Sequence, residues 1–189
     1  VRLYRIFPYL ASAAVDEPGG AFYLPPGGKN RADSPTGAYR CLYAGDDPSG
    51  AIAEAFGRFT IWDRDVLEAN PAAPVLPGSR FALATYELRA GYDLCDLDDA
   101  RRLVDLSLRP SEVVTRDRKV TQRWAQAIQA AGSHHGLAWW SYYDARWKSV
   151  AVWTIQALAL LGTPRILKLT DDEVMKAATI IVRQIVAQR

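Results

Sequence analysis

A few side chains in this sequence could act on a substrate. Arg5 sits inside the apolar run Leu3-Tyr4-Arg5-Ile6-Phe7, where an unpaired charge is costly to bury. Tyr43 lies in Arg40-Cys41-Leu42-Tyr43-Ala44-Gly45-Asp46, and Glu54 follows eleven positions later. Ser141 closes the segment Gly136-Leu137-Ala138-Trp139-Trp140-Ser141. Each also has a plain structural reading: a snorkelling or edge arginine, a packing tyrosine, a surface helix glutamate, a turn serine. As chemistry, the set offers a cation, an aromatic face, a carboxylate and a hydroxyl. Such groups act through charge and hydrogen bonding, without a metal or an imidazole.

Other chemistries lack their parts. There is no phosphate loop, no GxGxxG after a strand, no HExxH and no GxSxG. The only histidines, His134 and His135, fall just past Gly132. They read as turn residues at a helix end, which makes a Ser-His-Asp triad or a histidine nuclease a poor fit. Cys41 and Cys95 are the only cysteines and have no second Cys or nearby His at metal-ligand spacing. They read as two reduced, buried thiols in a reducing cytosol, and no metal is expected.

These residues need a scaffold, and 189 residues at 49% hydrophobic and 23% charged can supply one. One domain over 1–189 is expected, with a core that needs no disulfide or metal. Lys+Arg is 23 against Asp+Glu 21, a formal charge of +2. That is a weak footprint for direct nucleic-acid binding, which is not expected. The one basic cluster, Arg116, Arg118, Lys119 and Arg123 around Asp117, fits a solvated helix face or a partner surface. The longest apolar stretch, Ser149 to Gly162, is too short to span a membrane and is interrupted by Thr154 and Gln156. A cytoplasmic protein without a membrane partner or signal peptide is expected. The chain begins at Val1 and its only methionine is Met175, so a few residues are expected before Val1.

The elements follow from pattern. Leu3 to Phe7 reads as a first strand and Arg40 to Ala44 as a second. Between them the Pro- and Gly-rich stretch from Pro8 to Tyr39 reads as a long loop of the kind that binds or covers a ligand. Asp47 and Pro48 are an N-cap and first helical residue, predicting a helix to about Phe59. Its apolar residues Ala51, Ile52, Ala55, Phe56 and Phe59 share a face, and Glu54 lies on the flank, free to face a cleft. Asn70 to Gly78 reads as loop. Phe81 to Arg89 reads as a half-buried strand, with Tyr92 to Leu97 as its partner through Ala90-Gly91. Asp98 or Asp99 should cap a short helix to about Leu108. A longer helix carries Val120, Trp124, Ile128 and Ala131 and ends at Gly132. Leu137 to Trp140, Val150 to Trp153 and Arg165 to Leu169 read as strands. A last helix opens with a Thr170/Glu173 capping box and carries Val174, Met175, Ala178, Ile181 and Ile185. Strands and helices mix without regular βαβ alternation. The expected class is α+β, a compact mixed or antiparallel sheet flanked by helices.

Taken in order, the four motifs resemble the RES-domain family of bacterial toxins, named for Arg, Glu and Ser. The most specific stretch is Leu42-Tyr43-Ala44 followed by Ala51-Ile52-Ala53-Glu54, similar to the family's Leu/Ile-Tyr-x-Ala and Ala-x-x-Glu pattern. The family often carries a Gly-Arg-Trp-Asn-like stretch before the tyrosine. Here the region reads Gly28-Lys29-Asn30-Arg31-Ala32-Asp33, making Arg31 the equivalent arginine. The family serine usually sits in a Pro-Ser-Ala-like context, and here it is Trp140-Ser141-Tyr142.

The resemblance implies an ADP-ribosyltransferase-like fold and destruction of NAD+ at its nicotinamide–ribose bond, by a glycohydrolase or phosphorylase reaction. NAD+ is then substrate, and water or phosphate the acceptor. The implied outcome is growth arrest until a cognate Xre-like helix-turn-helix antitoxin neutralises the toxin. That chemistry needs a carboxylate beside a ribose cation, a cation for the diphosphate and an aromatic face for the nicotinamide. Under this resemblance Glu54 stabilises the ribose cation, and Arg5, helped by Arg31, holds the diphosphate. Tyr43 stacks on the nicotinamide or closes the pocket. Ser141 fixes the ribose or orders the site, and segment 18–37 acts as a lid. Three alternatives remain open: mono-ADP-ribosylation of a protein, an RNA-targeting toxin using the 116–123 cluster, and a non-enzymatic interaction module built on Trp139, Trp140, Tyr142, Tyr143 and Trp147.

Overall fold

Leu3 and Phe7 alternate with Tyr4 and Ile6 along β1 (Arg2–Tyr9), so this strand is apolar on both faces and packed on both. The computed structural model describes residues 1–67 and 76–186. After β1 come β2 (Leu42–Gly45), α1 (Pro48–Phe56), β3 (Ile61–Trp62), α2 (Arg64–Leu67), β4 (Arg80–Leu88) and β5 (Cys95–Asp96). Then follow α3 (Ala100–Asp105), α4 (Pro110–Val114), α5 (Arg118–Ala130), β6 (Gly136–Trp140) and β7 (Lys148–Val152). The chain continues through β8 (Leu158–Leu160), β9 (Arg165–Ile166), α6 (Asp172–Ile180) and β10 (Gln184–Ile185). Most of the loop expected over Asn70–Gly78 lies outside the described residues.

The main sheet runs β5-β6-β7-β2-β1-β4-β8, with β9 also on β4. Its pairs are antiparallel except β5 with β6. β10 and β3 form a separate parallel pair. This is the expected α+β architecture, a mixed sheet flanked by helices. Trp124 and Ile128 of α5 pack with Leu137 of β6. Ile52 and Phe56 of α1 pack with Val174 and Ala177 of α6 and with Trp147. Leu3 and Phe7 pack on the opposite face of β1 with Ala21, Ala84 and Tyr86. Among the described residues no helix is long and apolar enough to cross a membrane.

The start of α1 follows its sequence signal. Asp47 accepts hydrogen bonds from the amides of Ser49 at 2.7 Å and Gly50 at 3.1 Å, and Pro48 takes the first turn. The helix stops at Phe56, three residues early, and Trp62 fills the space beyond by donating to the carbonyls of Phe56 and Phe59. Gly50 lets this helix lie against the buried Trp147: a Cβ there would sit 2.8 Å from Trp147 Cγ. Gly50→Ala should therefore destabilise the protein by about 1–3 kcal/mol, a drop of roughly 2–12 °C in Tm by calorimetry. An unchanged Tm would mean that Trp147 can move aside.

Three expectations need correction. Tyr92–Leu97 does not pair with β4; only Cys95 and Asp96 form a strand, and it runs parallel to β6. The β4 edge is instead taken by β8, over Leu88↔Leu158 to Tyr86↔Leu160. The Thr170/Glu173 capping box does not form. Asp171 stands at the N-cap, and its carboxylate is held by Arg165 Nη1 at 2.5 Å and the Lys168 amide at 3.0 Å. The last helix ends at Ile180, because Val182 adopts φ 54° and turns the chain into β10. Ile185 thus belongs to a strand, and Met175 lies on the solvent side at 47% exposure.

Candidate active site

α1 and the middle strands enclose a cleft of about 280 Å3. Its position follows from side-chain size. Ala51 and Ala55 on the flank of α1, and Ala44 on β2, are too small to fill the space between helix and sheet. Tyr4, Tyr43, Trp139 and Tyr142 supply aromatic walls, and Asn30, Arg31, Glu54, Arg118 and Ser149 supply polar groups.

Glu54 is exposed on the flank of α1, as its phase on the helix predicts. Its carboxylate is held from one side. Oε1 accepts from Ser141 Oγ at 2.5 Å, from Ser149 Oγ at 3.2 Å and from the Tyr142 amide at 3.3 Å. Oε2 has no hydrogen-bond partner among the described residues. Three donors on one oxygen fix the orientation of the group and leave the other oxygen available to a ligand. The Ser141 hydroxyl is itself fixed, since it accepts from the Tyr143 amide at 3.1 Å while donating to Glu54.

The tyrosine and the arginine before it are joined through Asp33. The Tyr43 hydroxyl donates to Asp33 Oδ1 at 2.8 Å and accepts from the Ala32 amide at 3.0 Å. Burial, the neighbouring Cys41 and Asp33, and the bond to Asp33 together push the phenol pKa up. It remains a protonated donor at neutral pH. Asp33 Oδ2 accepts from the amides of Lys29 at 2.9 Å and Asn30 at 2.7 Å, and Gln122 Nε2 donates to the carbonyls of Gly28 and Asn30. The turn is thereby fixed with Arg31 in the cleft. Arg31 Nη1 reaches the carbonyls of Val113 and Thr115 at the end of α4. Burial, and then the charge of Arg118, lower the proton affinity of Arg31, while Glu54 and Tyr43 oppose the shift.

The structure brings Glu54, Tyr43 and Arg31 to the cleft wall and sets Ser141 behind Glu54. It separates Arg5 from them. Along β1 the cleft takes Tyr4 and Ile6, whereas Arg5 shares the opposite face with Leu3 and Phe7. Its guanidinium donates to the carbonyls of Ala21 and Tyr23 at 2.9 Å each and lies over the Phe7 ring at 5.1 Å. Burial lowers its pKa against the pull of Tyr86, whose hydroxyl donates to the same Ala21 carbonyl at 2.5 Å. The diphosphate role expected of Arg5 is not matched by its placement off the cleft, where this cation anchors the 21–23 segment. Segment 18–37 is also no loose lid, being held by Arg5, Asp33 and Gln122.

Ser149 was not singled out from the sequence. It reaches Glu54 because β7 places it opposite Gly45 of β2 and Trp139 of β6. Arg118 was seen only as part of a basic cluster. The signal that could have ranked Arg31 above Arg5 is the alternation of β1 itself. His134 and His135 lie outside the cleft, with Nδ1 atoms 2.8 and 3.3 Å from the carboxylate of Asp93. Both cysteines are free and buried; burial and Asp33 push the Cys41 thiol up to about 12, leaving it unreactive. No cluster of three or more His, Cys, Asp or Glu among the described residues could hold a metal ion.

Comparison with known families finds that the RES domain matches residues 2–173. Comparison with curated proteins finds no match. Among solved structures, the toxin–antitoxin complex MbcT–MbcA of M. tuberculosis includes a chain similar to this one. The TM-score is 0.60 at 13% identity, over 96% of this chain and 88% of that one. At that identity the likeness is one of fold.

Proposed function

The chain belongs to the RES domain family, and from that premise we propose that it is the toxin of a toxin–antitoxin pair whose cleft breaks the nicotinamide–ribose bond of NAD+. The observation that carries this reading is Glu54, oriented by three donors on Oε1 with Oε2 left to a ligand. The fold shared with the toxin of a toxin–antitoxin complex supports it. The proposed partner is an Xre-like antitoxin, and the proposed setting is the cytoplasm.

The reaction suits the groups at hand. The C1′–N bond breaks and its electron pair goes to the pyridinium nitrogen, so nicotinamide leaves neutral and needs no proton donor. Positive charge develops at C1′ and the ring oxygen, where a fixed carboxylate stabilises it more than it stabilises the ground state. Water or phosphate then forms the new bond to C1′, and water releases its proton to solvent. Tyr43 and Trp139 offer faces for the nicotinamide, and Arg31 a cation for the diphosphate. The cleft volume, about 280 Å3, is at the small end for ligand sites. It suits the nicotinamide riboside half, with the remainder of the dinucleotide along the open mouth.

The test is to incubate the partner-free protein with NAD+, with and without phosphate, and resolve the products by mass spectrometry. Nicotinamide with ADP-ribose, or with phosphorylated ADP-ribose, supports the proposal and names the acceptor. Intact NAD+ overturns it, and a mass shift on a protein substrate would assign the transferase reaction instead. The serines should act through Glu54. Ser141→Ala removes the shorter bond and should lower kcat roughly tenfold, and Ser149→Ala about threefold, as expected for charge-assisted hydrogen bonds of unequal length. KM should change little in both. A kcat equal to wild type in Ser141→Ala would mean the carboxylate needs no such support.

A further inference from the structure

Two arginines face this cleft, and among the described residues neither meets a carboxylate. Arg31 uses Nη1 on two backbone carbonyls, and its Nε and Nη2 make no hydrogen bond. Arg118, the first residue of α5, is exposed at the same cleft, and among the described residues its side chain makes no hydrogen bond or ion pair. Of the acids nearby, Asp33 holds the amides of Lys29 and Asn30, Asp117 caps the Lys119 amide and Glu112 holds the Arg109 amide. Glu54 keeps Oε2 towards the cleft and its charge acts on Arg31, but it forms no ion pair with either arginine among the described residues.

Both arginines line the one cleft, and the charge of Arg118 acts on the half-buried Arg31. Like charges at such range repel, more so away from bulk water. Packing does not require the arrangement, because Arg118 contributes no buried surface to the core. Glu54 offsets part of this charge at Arg31, and a bound anion would offset the rest; a guanidinium presents paired N–H donors that match phosphate oxygens.

We propose that Arg31 and Arg118 together form a subsite for a phosphate-type dianion at the cleft mouth. The position relative to the reaction rests on the NAD+ reading above. Glu54, Arg31 and Arg118 line the same cleft, and the charges of Glu54 and Arg118 both act on Arg31. A phosphate group bound there shares the cleft with the carbon that Glu54 serves. Two sources share this chemistry: the diphosphate of the dinucleotide, and free phosphate as acceptor.

The first experiment needs no turnover. Pyrophosphate binding is measured by calorimetry at low salt on the wild type, on Arg118→Gln and on Lys119→Gln, an exposed neighbour that does not line the cleft. The expected result is binding to the wild type that weakens with salt, at least tenfold weaker binding to Arg118→Gln, and little change in Lys119→Gln. Wild-type protein that ignores millimolar pyrophosphate, or Arg118→Gln that binds it as well as wild type, overturns the proposal. This outcome is independent of whether NAD+ is cleaved. Kinetics then separate the sources. A raised KM for NAD+ without phosphate present assigns the diphosphate, and a raised phosphate requirement at an unchanged KM for NAD+ assigns the acceptor. If pyrophosphate binding is lost while neither parameter moves, the subsite takes no part in the reaction, and that half of the proposal fails.

Discussion

Glu54→Gln should lower NAD+ cleavage by roughly 10²–10³, the usual cost of removing a group that stabilises transition-state charge. The protein should stay folded. Glu54 is exposed, so nothing in the core depends on its charge. The substitution is also nearly isosteric. The amide oxygen of glutamine can take the place of Oε1 beneath Ser141, Ser149 and the Tyr142 amide. The amino group then stands where Oε2 faced the cleft. What is lost is negative charge at the one oxygen a substrate could meet. Nicotinamide release by liquid chromatography and Tm by calorimetry would read the two effects separately. Wild-type turnover in this variant would remove Glu54 from the chemistry. A low Tm would instead show that the carboxylate holds α1 to the β6–β7 connection.

Arg5→Met should do the opposite, costing stability rather than chemistry. Arg5 is 9% exposed and makes two bonds to backbone carbonyls from a charged donor. Such bonds contribute about 1.5–3 kcal/mol each, and relief from burying a cation offsets part of that. Methionine keeps the apolar stem but leaves the Tyr23 carbonyl without its donor. The expected net loss is about 2–3 kcal/mol, or roughly 4–12 °C in Tm. Turnover per folded molecule should stay within about threefold of wild type, because the guanidinium lies behind β1 and away from the cleft. A large rise in KM for NAD+ at an unchanged Tm would return Arg5 to the substrate.

Local signals carried much of this site. Asp47 and Pro48 mark the start of α1, and the apolar residues after them set its rotation, which places Glu54 on the flank before any coordinates are known. Ser141 was legible as the residue just after a strand. Arg5 was misread because a charge in an apolar strand suggests function, while its parity with Leu3 and Phe7 says which face it takes. Ser149 was out of reach for another reason. Its approach to Glu54 depends on the register Gly45↔Ser149↔Trp139 between strands far apart in sequence. Arg118 likewise shares the cleft with Arg31 only because α4 and α5 fold back over the 28–33 turn. The break at Val182 had no local cue either, since a β-branched residue rarely adopts positive φ.

From Leu10 to Cys41 the chain forms no helix or strand, yet Arg5, Tyr86, Gln122 and Tyr43 fasten it from four elements. A segment tied this way loses its conformational freedom once, during folding, rather than each time a ligand arrives. This segment then does not gate entry to the cleft, and capture is governed by diffusion and by the field of the two cleft arginines. An inhibitor of such an open site has no flap to hold shut. It has to occupy the mouth, in direct competition with whatever the mouth was shaped to receive.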